Sequence, residues 1–355
     1  MRFALSLDTE LGVGPGKTLS VALHERKMII KFLDLFEKYE APVTWAIVGH
    51  LFLSECSQHD LPYNNCAKPN WKKVLYAPDL IEKIQDSSIK HEIACHSFAH
   101  INYAKEPLQV IEEDIKMALV AMKNFNVYPK TFIFPWNAFN TESLALVKKY
   151  GFNFTRTSFD FKDYTKPLIS VPFFVELNEF TPMNYIHRLV DVLRKDAHAI
   201  LHVWTHPSNW RSTHKLEEVL IKIKKEEVPV ICIKDGYDFN LPVKNFVYAS
   251  VSTKRITYIR KGIGIRIYYA NLTNDDMVVE AGLVSRSMKM LMKMPMKPKF
   301  HSPYHAERVK IKDGKLLLLK RSVGEGVLYY KIPRFLPLRP FIRLTSYIGS
   351  KKFEG

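Results

Sequence analysis

Apolar and polar positions follow two alternating periods over the first 235 or so residues. Short runs rich in β-branched and aromatic residues predict strands at 2–8, 43–48, 93–95, 131–134, 152–157, 199–204 and 228–233. Between them the apolar residues return at helical spacing. Met28, Phe32, Leu35 and Phe36 mark a helix over 21–40, and Ile111, Ile115, Leu119 and Met122 mark another over 107–125. Pro78 opens a short helix from a first-turn position, and further helices are expected at 141–150, 182–194 and 213–226. Repeated strand–helix units predict a parallel sheet with helices outside it, open or closed into a barrel. In such folds the chemistry gathers at the C-terminal ends of the strands.

Beyond Pro242 helical periodicity is lost. Short β-rich runs at 246–252, 255–259, 264–270, 277–280, 315–320 and 327–331 predict a small β appendage. The chain therefore divides into an α/β domain, 1–238, and a β-rich region, 239–355. Within the latter, Met288, Met290, Met292, Met294 and Met296 alternate with other residues. Period two suits an extended ribbon, either an edge strand or an adaptable face for apolar ligands or lipid. The segment from Lys331 to Arg343 interleaves Arg, Pro and bulky apolar residues, so it is no regular helix. It would wrap the domain or lie on a membrane surface.

Composition sharpens this picture. Of 355 residues, 47% are hydrophobic, enough to bury a substantial core. No apolar run approaches the roughly 18 residues of a membrane span. The N-terminus runs straight into a strand, so no signal peptide is expected. Four cysteines, Cys56, Cys66, Cys95 and Cys232, are few and irregularly spaced. Together these features predict a cytoplasmic protein with free thiols. Cys56 and Cys66 share a loop and are close enough in sequence to pair, though a buried thiol is the plainer expectation for each.

The net charge of +16 is confined to the last third. Residues 1–240 hold 29 basic and 29 acidic residues, whereas 241–355 hold 23 basic and 7 acidic. A one-sign field of this size fits a polyanionic partner, such as an anionic membrane surface, or simply a soluble basic domain. Nucleic acid ranks lower, because no recognised binding motif accompanies the charge.

The candidate chemistry falls at the predicted strand ends. His91-Glu-Ile-Ala-Cys-His-Ser-Phe-Ala-His100 holds three histidines in ten residues. His96 and His100 are four apart, which on one turn of helix would aim both rings the same way. Two converging neutral imidazoles lack only a third ligand to form a metal site. His91 sits at the start of the strand and has no such role. Asp8 and Glu10 close the first strand; one carboxylate can complete the metal shell while the other takes a proton from water. His206, just before Pro207, is a general acid candidate because its ordinary pKa lies near neutrality. His202, further back in an apolar strand, reads as a core histidine. Trp136 and Trp204 are candidates to stack on a substrate ring, or are core.

Five segments in this order, Ser6-Leu-Asp-Thr-Glu10, Ala46-Ile-Val-Gly-His50, His91 to His100, Phe132-Ile-Phe-Pro-Trp136 and Leu201-His-Val-Trp-Thr-His-Pro207, resemble the polysaccharide deacetylases. These are also called NodB-homology or carbohydrate esterase family 4 proteins. The resemblance covers roughly residues 1–235 and says nothing of 241–355. It implies a distorted (β/α)7-type barrel and metal-dependent removal of an N-acetyl group from an amino sugar of a glycan or lipid-linked precursor. It makes His96 and His100 the metal-binding histidines, Asp8 the catalytic base and His206 the general acid. Where the family has a second aspartate, a metal ligand, this chain has Thr9, and Glu10 is the candidate replacement. The family's arginine would fall at Ile133; Arg156, at the next strand end, is the candidate to stand in for it.

With a divalent ion, most simply Zn²⁺, on Glu10, His96 and His100, a backbone N–H near Trp136 would help hold the oxyanion. Trp136, Arg156 and Trp204 would contact substrate. The basic appendage would bring the protein to the inner membrane face as a peripheral protein. The missing arginine and Thr9 favour one alternative, a glycan-binding barrel without catalysis; a second is a related hydrolase of another non-peptide C–N amide bond.

Overall fold

The computed structural model describes residues 1–13, 16–55, 69–157, 169–172, 175–194 and 200–235, then nine strands beyond residue 245. The chain forms two compact units, Met1–Asn240 and Leu241–Gly355.

In the first unit β1 (Arg2–Thr9) leads to α1 (Leu19–Tyr39), β2 (Thr44–Ile47), α2 (Lys72–Leu75) and α3 (Pro78–Gln85). There follow β3 (Glu92–Cys95), α4 (Leu108–Lys123), β4 (Thr131–Ile133), α5 (Thr141–Lys149) and β5 (Phe154–Thr157). The unit continues with β6 (Ile169–Pro172), β7 (Val175–Glu176), α6 (Met183–Leu193), β8 (Ile200–Thr205), α7 (His214–Lys225) and β9 (Val230–Ile231). All seven expected strands are present, and β6 and β7 are additions to them.

These strands make one parallel sheet in the order β6-β5-β4-β3-β2-β1-β8-β7. β1 is the central strand. β8 pairs with it from Arg2 to Leu7, and β2 pairs with its C-terminal half from Ser6 to Thr9. β9 pairs with Phe3 and Ala4, near its start. Phe3, Leu5 and Leu7 are completely buried, so β1 anchors the core. The sheet is a curled half-barrel with helices packed outside it, the expected (β/α) architecture.

Helix faces follow the sequence pattern. α1 buries Met28, Phe32 and Phe36, with Phe32 edge-on to Trp210 and Phe36 edge-on to Trp45. Each such ring contributes about 2–3 kcal/mol on burial. Thr18 caps the N-terminus by accepting the Val21 N–H. Asn140 and Ser143 form a reciprocal capping box on α5. Beyond β2, Gly49 lies against α4 so closely that a Cβ would stand 2.9 Å from the Ala118 Cα. That approach lets Gly49 and His50 donate backbone N–H groups to Ser97 and Phe98, tying the loop after β3 to the loop after β2.

The second unit is all β. β10 (Phe246–Ser252), β11 (Ile263–Ala270), β12 (Met277–Ser285), β13 (Lys299–His301) and β14 (Val309–Lys312) come first. β15 (Lys315–Leu318), β16 (Val323–Tyr330), β17 (Leu338–Ile348) and β18 (Lys351–Glu354) complete it. They form two antiparallel sheets, β10-β11-β16-β13 and β14-β15-β12-β17-β18. The end of the Pro- and Arg-rich segment, from Leu338 onward, is strand β17. Residues 255–259, the alternating methionines, Lys331 to Pro337, and Cys56 and Cys66 lie outside the described residues. Cys95 and Cys232 are free and buried. Among the described residues no helix is long and apolar enough to cross a membrane.

Candidate active site

Every polar residue singled out at a strand end converges on the same end of the sheet. Asp8 closes β1 and Glu10 follows it; His96 and His100 follow β3, Arg156 lies in β5, and His206 follows β8. Asp8, Glu10, His96, His100 and Arg156 are all buried, while His206 retains a side chain 22% exposed.

The two histidines after β3 do not sit on a helix. Their loop folds back through left-handed residues at Ser97 (φ 65°) and His100 (φ 53°). Asp114, on the buried face of α4, accepts the N–H groups of Phe98 and Ala99 at 2.8 and 2.9 Å and the Tyr103 hydroxyl at 2.7 Å. Ser97 Oγ accepts the His100 N–H at 2.7 Å. These bonds bring the two rings to 5.1 Å between centroids. The convergence expected of a helical turn is thus produced by a carboxylate-bound loop.

Glu10 is the hub. Its Oε1 lies 3.0 Å from His100 Nε2, 3.2 Å from His206 Nε2 and 3.7 Å from His96 Nε2. His96 Nδ1 donates to the Ile133 carbonyl at 2.7 Å, because a carbonyl can only accept. In the neutral ring Nε2 therefore carries a lone pair, aimed into the cluster. His96 Nε2 and both ring nitrogens of His100 are buried without a hydrogen-bond partner. Lone pairs of imidazole and carboxylate facing one another in a buried space are mutually repulsive unless a cation lies between them. Glu10, His96 and His100 have ligand atoms all within 4.8 Å of one another, as do Asp8, Glu10 and His206. The first set, two imidazoles and a carboxylate, fits a divalent transition metal.

Asp8 and Arg156 form a bidentate pair: Oδ1 accepts from Nη1 and Oδ2 from Nη2, each at 2.6 Å. Burial alone would raise the Asp8 pKa, but the adjacent guanidinium outweighs it and holds the carboxyl below the usual aspartate range. Arg156 also donates to Ser6 Oγ at 3.2 Å and Asn137 Oδ1 at 3.2 Å, and stacks over Trp204 at 4.5 Å. Ser6 and His202 Nε2 are 3.0 Å apart, so His202 is the core histidine expected, bonded beneath the site. Arg156 is wholly buried and Trp204 is covered by its guanidinium. Both are therefore closed off from solvent behind Asp8, unlike the substrate contacts expected of them.

Trp136 is different. It is 46% exposed, its ring is 4.5 Å from that of His100, and its backbone is left-handed (φ 53°). Such a conformation is uncommon for a bulky residue and is a form of stored strain found at functional sites. Its N–H takes no partner among the described residues.

His206 lies between two carboxylates, with Nε2 toward Glu10 and Nδ1 3.4 Å from Glu176 Oε1. Burial disfavours its charged form, but Glu10 and then Glu176 outweigh that and raise its pKa well above the ordinary value. Glu10 is held well below its usual range, against burial, by His100 and His206. Burial keeps His100 low despite Glu10.

Sequence reasoning missed Glu176, Asp114, Glu25 and Lys17. Asp114 and Glu25 carried a signal: each is a charge on the otherwise apolar face of a helix, among Ile111, Ile115 and Ala118 or among Ala22, Met28 and Ile29. Glu176 ends the two-residue strand β7 and Lys17 lies in an irregular segment, and neither carried one.

A polysaccharide deacetylase family model matches residues 22–155. No curated protein sequence gives a significant match. Among solved structures, a "probable Polysaccharide deacetylase" from Pseudomonas aeruginosa PAO1 superposes with a TM-score of 0.51 at 13% identity, covering 66% of this chain and 88% of that one. Puue allantoinase gives 0.50 at 14% identity, with the same coverages. At such identities the likeness is one of fold. Residues 22–155 are thus similar to the polysaccharide deacetylase family, and the chain shares its fold with these two structures.

Proposed function

We propose that this protein is a metal-dependent deacetylase that hydrolyses the N-acetyl group of an amino sugar in a glycan or a lipid-linked glycan precursor. The observation that carries this reading is the convergence of Glu10 Oε1 with the partnerless Nε2 atoms of His96 and His100, beside the Asp8–Arg156 pair. Those three residues would hold a divalent cation, Zn²⁺ by the character of the donors. When bound, such an ion polarises the amide carbonyl and acidifies a nearby water.

The protein's own groups supply the rest. Asp8, kept ionised by Arg156, takes a proton from the attacking water as the new C–O bond forms. The Trp136 N–H is the donor proposed for the developing oxyanion. His206, held protonated by Glu10 and Glu176, gives its proton to the nitrogen as the C–N bond breaks. Acetate and a free amine leave, and the proton passes from Asp8 back to His206 through solvent. The exposed Trp136 ring offers a face for the sugar.

The test is acetate release from a panel of N-acetylated sugars by wild type and His96→Ala, with metal content measured on both. Release by the wild type alone, with one equivalent of metal, is the expected result. Thr9, whose buried Oγ1 has no hydrogen-bond partner, favours a second reading in which the barrel binds glycan without turnover. A wild type that takes up neither Zn²⁺, Co²⁺ nor Ni²⁺ would move the assignment to that reading.

We further propose that the basic 241–355 region carries the enzyme to an anionic lipid surface, on the strength of its 23 basic against 7 acidic residues. The protein should sediment with vesicles containing phosphatidylserine and not with pure phosphatidylcholine, and 0.5 M salt should release it. Equal partitioning onto both would exclude the idea.

A further inference from the structure

Glu10 lies one residue past the end of β1, where the sheet no longer holds the backbone. Two residues outside the catalytic cluster hold it instead. Glu25 projects from α1 with its side chain fully buried, and its Oε1 accepts the N–H groups of Glu10 at 3.0 Å and Leu11 at 3.2 Å. Leu11 is thereby kept in a left-handed conformation (φ 47°), an uncommon state for leucine. That turn gives the chain a defined exit from the strand.

Lys17 returns to the same place. Its Nζ is 2.7 Å from Glu10 Oε2 and 3.5 Å from Glu25 Oε2, and its side chain is only 16% exposed. Glu25 therefore grips the Glu10 backbone through one oxygen and the lysine through the other, while the lysine grips the Glu10 side chain. One oxygen of Glu10 is committed to this clamp. The other, Oε1, is the atom presented to His96 and His100. A glutamate side chain free to choose among its rotamers would not reliably present one oxygen in one direction.

We propose that Lys17 and Glu25 are positioning residues that make Glu10 a one-oxygen metal ligand. The inference rests on the metal reading above and deepens it. It also carries a sign that a purely electrostatic role does not. An ammonium group 2.7 Å from a ligand repels an incoming cation, so charge alone predicts tighter metal binding once Lys17 is removed. Positioning predicts weaker binding, since losing a group that orients a metal ligand costs about 10- to 100-fold in affinity.

The experiment is Zn²⁺ affinity by competition with a chromophoric chelator, on wild type, Lys17→Met, Glu10→Gln and the double variant. The visible spectrum of Co²⁺ bound to each protein provides a second readout. Lys17→Met should weaken Zn²⁺ binding by about 10- to 100-fold and shift the Co²⁺ bands, both read well below the variant's melting temperature, which falls because buried Glu10 and Glu25 lose their cation. In the Glu10→Gln background the same change should alter affinity less than about two-fold, because its effect runs through Glu10. Should Lys17→Met fail to fold, Lys17→Ala removes both donor and charge with less side chain to bury and is read the same way. Unchanged or tighter binding in the lysine variant, with one equivalent bound by wild type, overturns this inference alone. No metal uptake by the wild type overturns the metal reading and this inference together.

Discussion

Asp8 and Arg156 meet through two parallel hydrogen bonds of 2.6 Å each, in a space closed to solvent. Only a guanidinium matches a carboxylate with two donors in one plane. Arg156→Met leaves a carboxylate buried and unpaired, and should lower unfolding free energy by about 3 kcal/mol. Adding Asp8→Asn should recover part of that loss, because the stranded charge is gone. Denaturant unfolding of the two variants reads both numbers. Acetate release should fall about 100-fold in Arg156→Met, since the base loses its orientation. A variant as stable and active as wild type would remove Arg156 from the site.

Glu176 accepts from Asn209 Nδ2 at 2.9 Å through the oxygen that also faces His206 Nδ1. It thus both orients the imidazole and favours its protonated form. Glu176→Gln keeps an acceptor and removes the charge, so turnover should drop about 10-fold with KM little changed. In a His206→Ala background the same substitution should have no further effect. An undiminished loss there would show that Glu176 acts by another route.

Trp136 places an exposed ring beside His100 at the cost of a left-handed backbone. Aromatic stacking contributes about 0.5–1.5 kcal/mol. Trp136→Ala should therefore raise KM for an N-acetylated oligosaccharide by about 3- to 10-fold while kcat changes less. Trp136→Gly should be more stable than Trp136→Ala by about 1 kcal/mol, because glycine adopts φ 53° without strain. Equal stabilities would mean that the turn relaxes in the variants.

Much of this was legible from the chain itself, for physical reasons that differ by element. β1, β2, β3, β4, β5, β8 and β9 announce themselves because strands buried between helices must be continuous apolar runs. β6 and β7 do not: Pro172 closes one, and the other is two residues long. Asp8, Glu10, His96, His100 and His206 were legible because chemistry in a parallel sheet sits at strand ends. The role of Arg156 was half legible: its place was clear, but its bidentate grip on Asp8 depends on β5 standing four strands away from β1. The loop geometry of His96 and His100 was not legible, since it depends on Asp114 in the following helix. Helical periodicity puts that aspartate on the buried face of α4, but spacing alone does not say which backbone N–H groups its side chain reaches.

Buried Asp114, beneath the His96–His100 loop, and half-buried His91, at the start of β3, set opposing pH trends. Burial raises Asp114 from 3.8 to about 6, against the bonds from Phe98, Ala99 and Tyr103. Between about pH 4 and 6 the folded protein then holds a proton that the unfolded chain has lost. Asp114 therefore makes stability fall as pH rises through that window, by up to about 3 kcal/mol. Burial lowers His91 from 6.5 to about 4, its Nδ1 accepting the Val43 N–H. There the unfolded chain binds the extra proton, so His91 makes stability rise from about pH 4 to 6.5. In wild type the two trends offset each other over their shared range. Urea midpoints measured between pH 4 and 7 should separate them. Asp114→Asn should leave only the rise, and His91→Gln only the fall. Parallel profiles for all three proteins would show that neither group carries its shift in the folded state.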